Sequence, residues 1–298
     1  AARSAQWLLD ALLAQRLDMH KLEFRGAFTL AVVDASGGRV WLVTDRMATF
    51  PLYYVSGDGQ VGFGTTPPVD RETAAADGFG ARARLTPQAV LMYLYFHMIP
   101  GPGTAFEGIR KLRTACIASL SLEGDCRTST HWQAGFAPVA RRESKALQQE
   151  LRSTLSTAVR DAAIGEGKTG CFLSGGLDSS TVSGLFAEAY PQKPTAFAIG
   201  FDAEGYDEMP YARITAEHFG LNLVELYVSP DDVVDALPRL AGSFPEPFGN
   251  SSALPAFFCA QQARKAGVTH LLAGDGGDEL FAGNARYAEQ LIYERFTA

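Results

Sequence analysis

The run Cys171-Phe172-Leu173-Ser174-Gly175-Gly176-Leu177-Asp178-Ser179-Ser180 constrains this chain more than any other stretch. A short apolar run feeds a Ser-Gly-Gly turn, and the turn feeds a helical pattern carrying Val182, Leu185 and Phe186. The order is therefore strand, glycine loop, helix. Adjacent glycines let the backbone approach an anion closely, and a helix start offers unpaired N–H groups and the positive end of a dipole. Ser174, Ser179 and Ser180 add hydroxyl donors, and Asp178 is a carboxylate suited to a hard cation beside phosphates. A plain turn with a capping acid accounts for Asp178-Ser179 but not for the whole run.

From Lys145 onward the surroundings of this loop follow one rhythm. Leu147, Leu151, Leu155, Val159 and Ala162 recur at helical spacing. Strands are then expected at 170–173, 195–199, 223–228 and 268–273, with helices from Asp178, over 209–219, 231–240 and 254–265 between them. Such alternation implies an α/β domain with a mostly parallel sheet and helices on both faces, its ligands bound beyond the carboxyl ends of the strands. The first 135 residues read differently. An amphipathic helix through Trp7, Leu8, Leu12 and Leu13 is followed by strand segments near 25–34, 39–45, 51–55 and 61–64, read together as a β-meander. A helix then opens at Thr86-Pro87, and further strands run from Cys116 to Trp132. The expected domains are 1–135 (α+β), a Gly/Ala/Pro/Arg linker at 136–144, and 145–298 (α/β).

A second cluster, Leu272-Ala273-Gly274-Asp275-Gly276-Gly277-Asp278-Glu279, again follows an apolar strand and enters a helical segment. Its acids are expected at the same sheet edge as Asp178. By itself it fits a solvated loop or helix cap equally well. Together the two loops resemble, in the same order, the two signature motifs of the asparagine synthetase family of glutamine-dependent amidotransferases. These have an ATP-pyrophosphatase synthetase domain of the adenine nucleotide alpha-hydrolase type. The first half adds independent likenesses. Asp45-Arg46-Met47-Ala48-Thr49-Phe50-Pro51-Leu52-Tyr53-Tyr54 is similar to an element of the family's N-terminal-nucleophile glutaminase domain, with Ala48 where glycine is usual and Phe50 where a basic residue is usual. The stretch Ile99 to Leu112 is another match.

The resemblance implies a ligase that adenylates a carboxylate, aspartate by default, with MgATP and converts it to an amide with ammonia from glutamine. It assigns Asp178 and Asp278 to Mg²⁺ and Asp275 to the acyl-adenylate step. Leu173, Ser174, Gly175, Gly176, Asp178, Ser179, Ile199, Ala273 and Gly274 are assigned to ATP. Glu246, Asn250 and Ser251 are candidates for the acceptor pocket, with a Pro/Gly-rich surface turn as the alternative. The family's catalytic cysteine and its last acceptor residues have no counterpart between Ala1 and Ala298, so both domains are expected to be incomplete. Two rivals remain: a β-lactam or lasso-peptide ring-forming synthetase of the same family, and a non-catalytic nucleotide-binding domain.

Composition sets the outer limits. A net charge of −7 argues against a nucleic-acid partner, and no apolar run reaches membrane-spanning length. Four scattered cysteines without metal spacing fit a reducing cytoplasm, and the expected partners are small molecules, with a homodimer left open. Ala162 to Thr169 fits a relaxed phosphate-loop pattern but has helix before and strand after, the wrong order for that chemistry.

Overall fold

The structure of the chain, a computed structural model, is described for residues 26–57, 59–68, 84–135, 143–163, 167–190, 192–201, 207–281 and 283–295. The expected opening helix and most of the expected linker lie outside these residues. Two compact units emerge, Ala1–Pro138 with Ala241–Asn250, and Val139–Leu240 with Ser251–Ala298.

In the first unit, β1 (Thr29–Asp34), β2 (Arg39–Thr44), β6 (Cys116–Ser121) and β7 (Cys126–Thr130) form an antiparallel sheet in the order β1-β2-β6-β7. A separate sheet has the order β4-β3-β5, from β3 (Tyr53–Gly57), β4 (Gln60–Gly64) and β5 (Arg110–Lys111). The expected single meander is thus two hairpins in two sheets. The break comes from Asp45, only 3% exposed, whose carboxylate accepts from the N–H groups of Phe28, Met47 and Thr49 and from the Thr49 hydroxyl. These bonds curl residues 45–49 away from β2, with Ala48 in the left-handed region at φ 50°. The turn that usually carries glycine is therefore kept with an alanine in it. Helix α1 (Pro87–Phe96) begins as its sequence implies, with the Thr86 hydroxyl accepting from Ala89 N–H.

The second unit contains a four-stranded parallel sheet in the order β10-β9-β8-β11, built from β8 (Lys168–Phe172), β9 (Thr195–Phe201), β10 (Asn222–Val228) and β11 (Val268–Leu272). Strand periodicity sorts its side chains onto two faces. Cys171, Leu173, Ala196 and Ala198 pack with α2 (Ser144–Ala162), α3 (Leu177–Ala189) and α4 (Met209–Phe219). Phe197, Ile199 and their neighbours pack with α5 (Pro230–Ser243) and α6 (Ala253–Lys265) on the other face. Two short helices follow the last strand, α7 (Gly277–Phe281) and α8 (Ala285–Glu294). Among the described residues no helix is long and apolar enough to cross a membrane.

Candidate active site

β8 and β11 are parallel neighbours, with Cys171 opposite Leu272. The connections that leave them, Leu173–Gly176 into α3 and Ala273–Gly276 into α7, therefore start side by side at the carboxyl edge of the sheet. Backbone approach between them is close. A Cβ built on Gly274 would lie 2.8 Å from both the Asp178 carbonyl carbon and the Ser179 nitrogen, and one on Gly277 would overlap the Asp178 carboxylate. Only glycine lets the second loop rest on the first turn of α3.

The first loop is shaped by its own serines. Ser174 N–H donates to Ser179 Oγ at 3.2 Å, the Ser174 and Ser179 hydroxyls pair at 3.0 Å, and Gly176 N–H donates to Ser174 Oγ at 3.2 Å. The Ser179 hydroxyl also donates to the Gly176 carbonyl, so its side chain holds the loop closed from within. Gly175, at φ +89°, has its α-carbon so near α4 that a Cβ would meet Ala212 N and Tyr211 Cβ at 2.6 Å. Ser180, read from sequence as a further donor, instead pairs with Thr215 on α4 at 3.0 Å.

Asp178 lies in the first turn of α3, and Asp278 and Glu279 in the first turn of α7. The Asp178 carboxylate lies against Gly277, the residue that precedes Asp278, so both acids belong to one edge of the sheet. Among the described residues no group of three or more His, Cys, Asp or Glu side chains could hold a metal ion. Two carboxylates suit a cation that takes one or two protein oxygens and completes its shell with phosphate and water, as Mg²⁺ does. Asp275 is exposed at the loop tip. The Leu173 side chain is 1% exposed, its N–H donating to the Phe197 carbonyl. Ile199 packs into the core toward α5 and α6, while Ala273 and Gly274 are half-buried. Tyr287 on α8 went unnoticed in the sequence. Its hydroxyl is pushed up by desolvation and then by the charges of Glu279 and Asp278. The only signal for it was a tyrosine one turn into the helix that follows that loop.

Glu246 does not lie in an open pocket. It is buried in the first unit, where Lys111, Tyr53 and the Ala105 N–H all donate to its carboxylate.

A parallel α/β sheet with two apposed glycine-and-acid loops at its carboxyl edge, in a chain that also carries a two-sheet antiparallel unit, defines a class of two-unit chains that pair an α/β unit with an antiparallel one. The asparagine synthase family model matches residues 150–298 and a glutamine amidotransferase domain model matches 9–132. The chain belongs to the asparagine synthase family. It is similar to asparagine synthetase [glutamine-hydrolyzing] 1 of Bacillus subtilis (strain 168), with 29% identity over 274 residues, 92% of this chain and 42% of that protein. Asparagine synthetase [glutamine-hydrolyzing] 3 of the same organism is 25% identical over 281 residues, 87% of this chain and 43% of that one. The chain thus spans under half the length of these relatives. A glutamine-dependent NAD⁺ synthetase from Acinetobacter baumannii, solved with adenosine diphosphate, overlaps 92% of this chain and 65% of its own at 13% identity and a TM-score of 0.32.

Proposed function

We propose that this chain carries the ATP-handling loops of a glutamine-dependent, asparagine synthetase-like amidotransferase. The observation that supports the reading best is the apposition of the two loops, with the Asp178 carboxylate against the backbone of Gly277. In this reading the backbone N–H groups in the first turn of α3, which the Ser174–Gly176 loop leads into, receive the β- and γ-phosphates of ATP. Asp178 and Asp278 would hold Mg²⁺, which when bound neutralises charge on the departing pyrophosphate. A substrate carboxylate oxygen, aspartate's by default, attacks the α-phosphorus and the bond to the β-phosphate oxygen breaks, leaving an acyl-adenylate and pyrophosphate. Asp275 at the loop tip steers the acyl-adenylate. Ammonia released from glutamine by the amidotransferase half attacks the acyl carbon, AMP leaves, and the nitrogen loses its extra proton as the amide forms.

Aspartate-dependent exchange of pyrophosphate into ATP, measured on the complete protein, tests this. Asp178→Ala should reduce exchange by at least about a hundredfold, as expected when charge stabilisation at a transferring phosphoryl group is lost. Undiminished exchange in that variant contradicts the assignment. Exchange with another carboxylate but not with aspartate would move the reading to a ring-closing member of the family.

A further inference from the structure

Residues Ala241–Asn250 belong to the stretch matched by the asparagine synthase model, yet they group with the first compact unit. The turn Phe244-Pro245-Glu246-Pro247-Phe248 is built to present one side chain. Two prolines fix φ on either side of Glu246, and the rings of Phe244 and Phe248 stack at 4.9 Å. The Glu246 side chain is 7% exposed, and among the described residues its partners Tyr53, Ala105 and Lys111 are all far away in sequence. Oε2 accepts from Lys111 Nζ at 2.6 Å and from the Tyr53 hydroxyl at 2.9 Å, and Oε1 accepts from Ala105 N–H at 2.8 Å. Lys111 also donates to the Ile99 carbonyl at 3.0 Å. Three residues on, Gly249 N–H donates to the His97 carbonyl at 2.8 Å, and a Cβ at that glycine would sit 3.1 Å from His97 Cβ.

An ion pair this far from water, with the Glu246 and Lys111 side chains 7% and 18% exposed, gives little stability over well-packed apolar side chains, because both charges lose most of their water. What it gives is selectivity for one arrangement, since a slip leaves the Glu246 carboxylate buried without its cation. The direction of the bonds adds to that selectivity. The Ala105 N–H and the Tyr53 hydroxyl donate to Glu246 while the Ile99 carbonyl accepts from Lys111, so the two charges are not interchangeable.

We propose that Glu246 is a positioning residue, the catch of a strap (residues 241–250) that the synthetase-matched stretch contributes to the amidotransferase-like unit, and that holding this strap is needed when glutamine supplies the nitrogen. The proposal rests on the function proposed above. It assigns Glu246 to neither the acyl-adenylate nor the ATP site. Loosening the strap should therefore spare the adenylation half-reaction, whose residues all lie in the second unit.

The experiment compares wild type, Glu246→Ala and Glu246→Gln in the complete protein. Hydrogen exchange at the Ala105 and Gly249 amides is measured together with pyrophosphate exchange and with amide formation from glutamine. Glu246→Ala should speed both amides at least tenfold and lower the glutamine-dependent kcat at least tenfold, with pyrophosphate exchange within twofold of wild type. Glu246→Gln keeps the acceptor for Ala105 N–H and should recover part of both losses, which a merely unfolded variant would not do. Unchanged amide exchange in Glu246→Ala overturns the catch. Faster exchange with a glutamine-dependent rate within twofold of wild type overturns its role in the reaction. A wild-type protein without any pyrophosphate exchange refutes the proposed function instead, and amide exchange then still decides whether Glu246 holds the strap.

Discussion

Gly274 and Gly277 are three residues apart, yet a methyl group on each should have different consequences. At Gly274 the added carbon would lie 2.8 Å from the carbonyl carbon of Asp178 and the nitrogen of Ser179, and 2.9 Å from Asp178 Cβ. Ordinary carbon contacts are about 3.5–4.0 Å, so the first turn of α3 must retreat by roughly 0.7–1.2 Å. Two of these atoms are backbone in the first turn of a helix, and no side-chain rotation relieves them. Overpacking of this kind costs about 1–3 kcal/mol, or roughly 2–12 °C in Tm for a unit of this size. At Gly277 the three nearest atoms all belong to the Asp178 carboxylate, the far end of a side chain that can swing aside. Gly277→Ala should therefore cost less than about 1 kcal/mol while moving the carboxylate from its position. Calorimetry and Mg²⁺-dependent ATP titration on the two variants separate the effects: Gly274→Ala loses stability, and Gly277→Ala loses Mg²⁺-dependent affinity at nearly unchanged Tm. If Gly274→Ala melts with wild type, or Gly277→Ala is the less stable of the two, the two loops do not touch as described.

Two further expectations concern stability. Ala48→Gly should stabilise the chain by about 0.5–1 kcal/mol, because an alanine at φ 50° carries a left-handed penalty that glycine lacks, partly offset by glycine's freedom when unfolded. A variant no more stable in denaturant titration would contradict this. Burial pushes the Cys171 thiol up to about 11 and the Cys259 thiol up to about 12. The folded state thus keeps protons that an unfolded thiol releases near pH ~8.5. Stability from these groups is intact below that pH and falls as pH rises toward 11 and 12, by at most ~1.4 kcal/mol per pH unit for each thiol. Cys171→Ala and Cys259→Ala should flatten that alkaline limb in pH-dependent unfolding, and an unchanged slope would refute the assignment.

Much of the second unit was legible in its residues because the relevant physics is local. The helix over 209–219 and the end of β10 at Val228 follow from apolar periodicity and flanking turn residues, and each strand's alternation dictates which side chains meet which helix layer. The glycine-and-acid loops were legible for the same reason, since strand–glycine–helix order is written in consecutive residues. Ser180 was misread because a helical residue's direction depends on what packs beside it, here Thr215 on a helix thirty-five positions away. The β-meander failed at Asp45, where side-chain acceptors drew the backbone into a turn that alternation alone cannot reveal.

Consecutive residues alone determined that this chain would alternate strand and helix after Lys145, and that two loops would each combine glycines with carboxylates. Only the tertiary structure decided that β8 and β11 are neighbours, so that Gly274 rests on Asp178, and that Glu246 is buried beside Lys111 and Tyr53. The reason is range: turns and periodicity are set by neighbours along the chain. Strand order and the partner of a buried charge are set by which distant surfaces exclude water together.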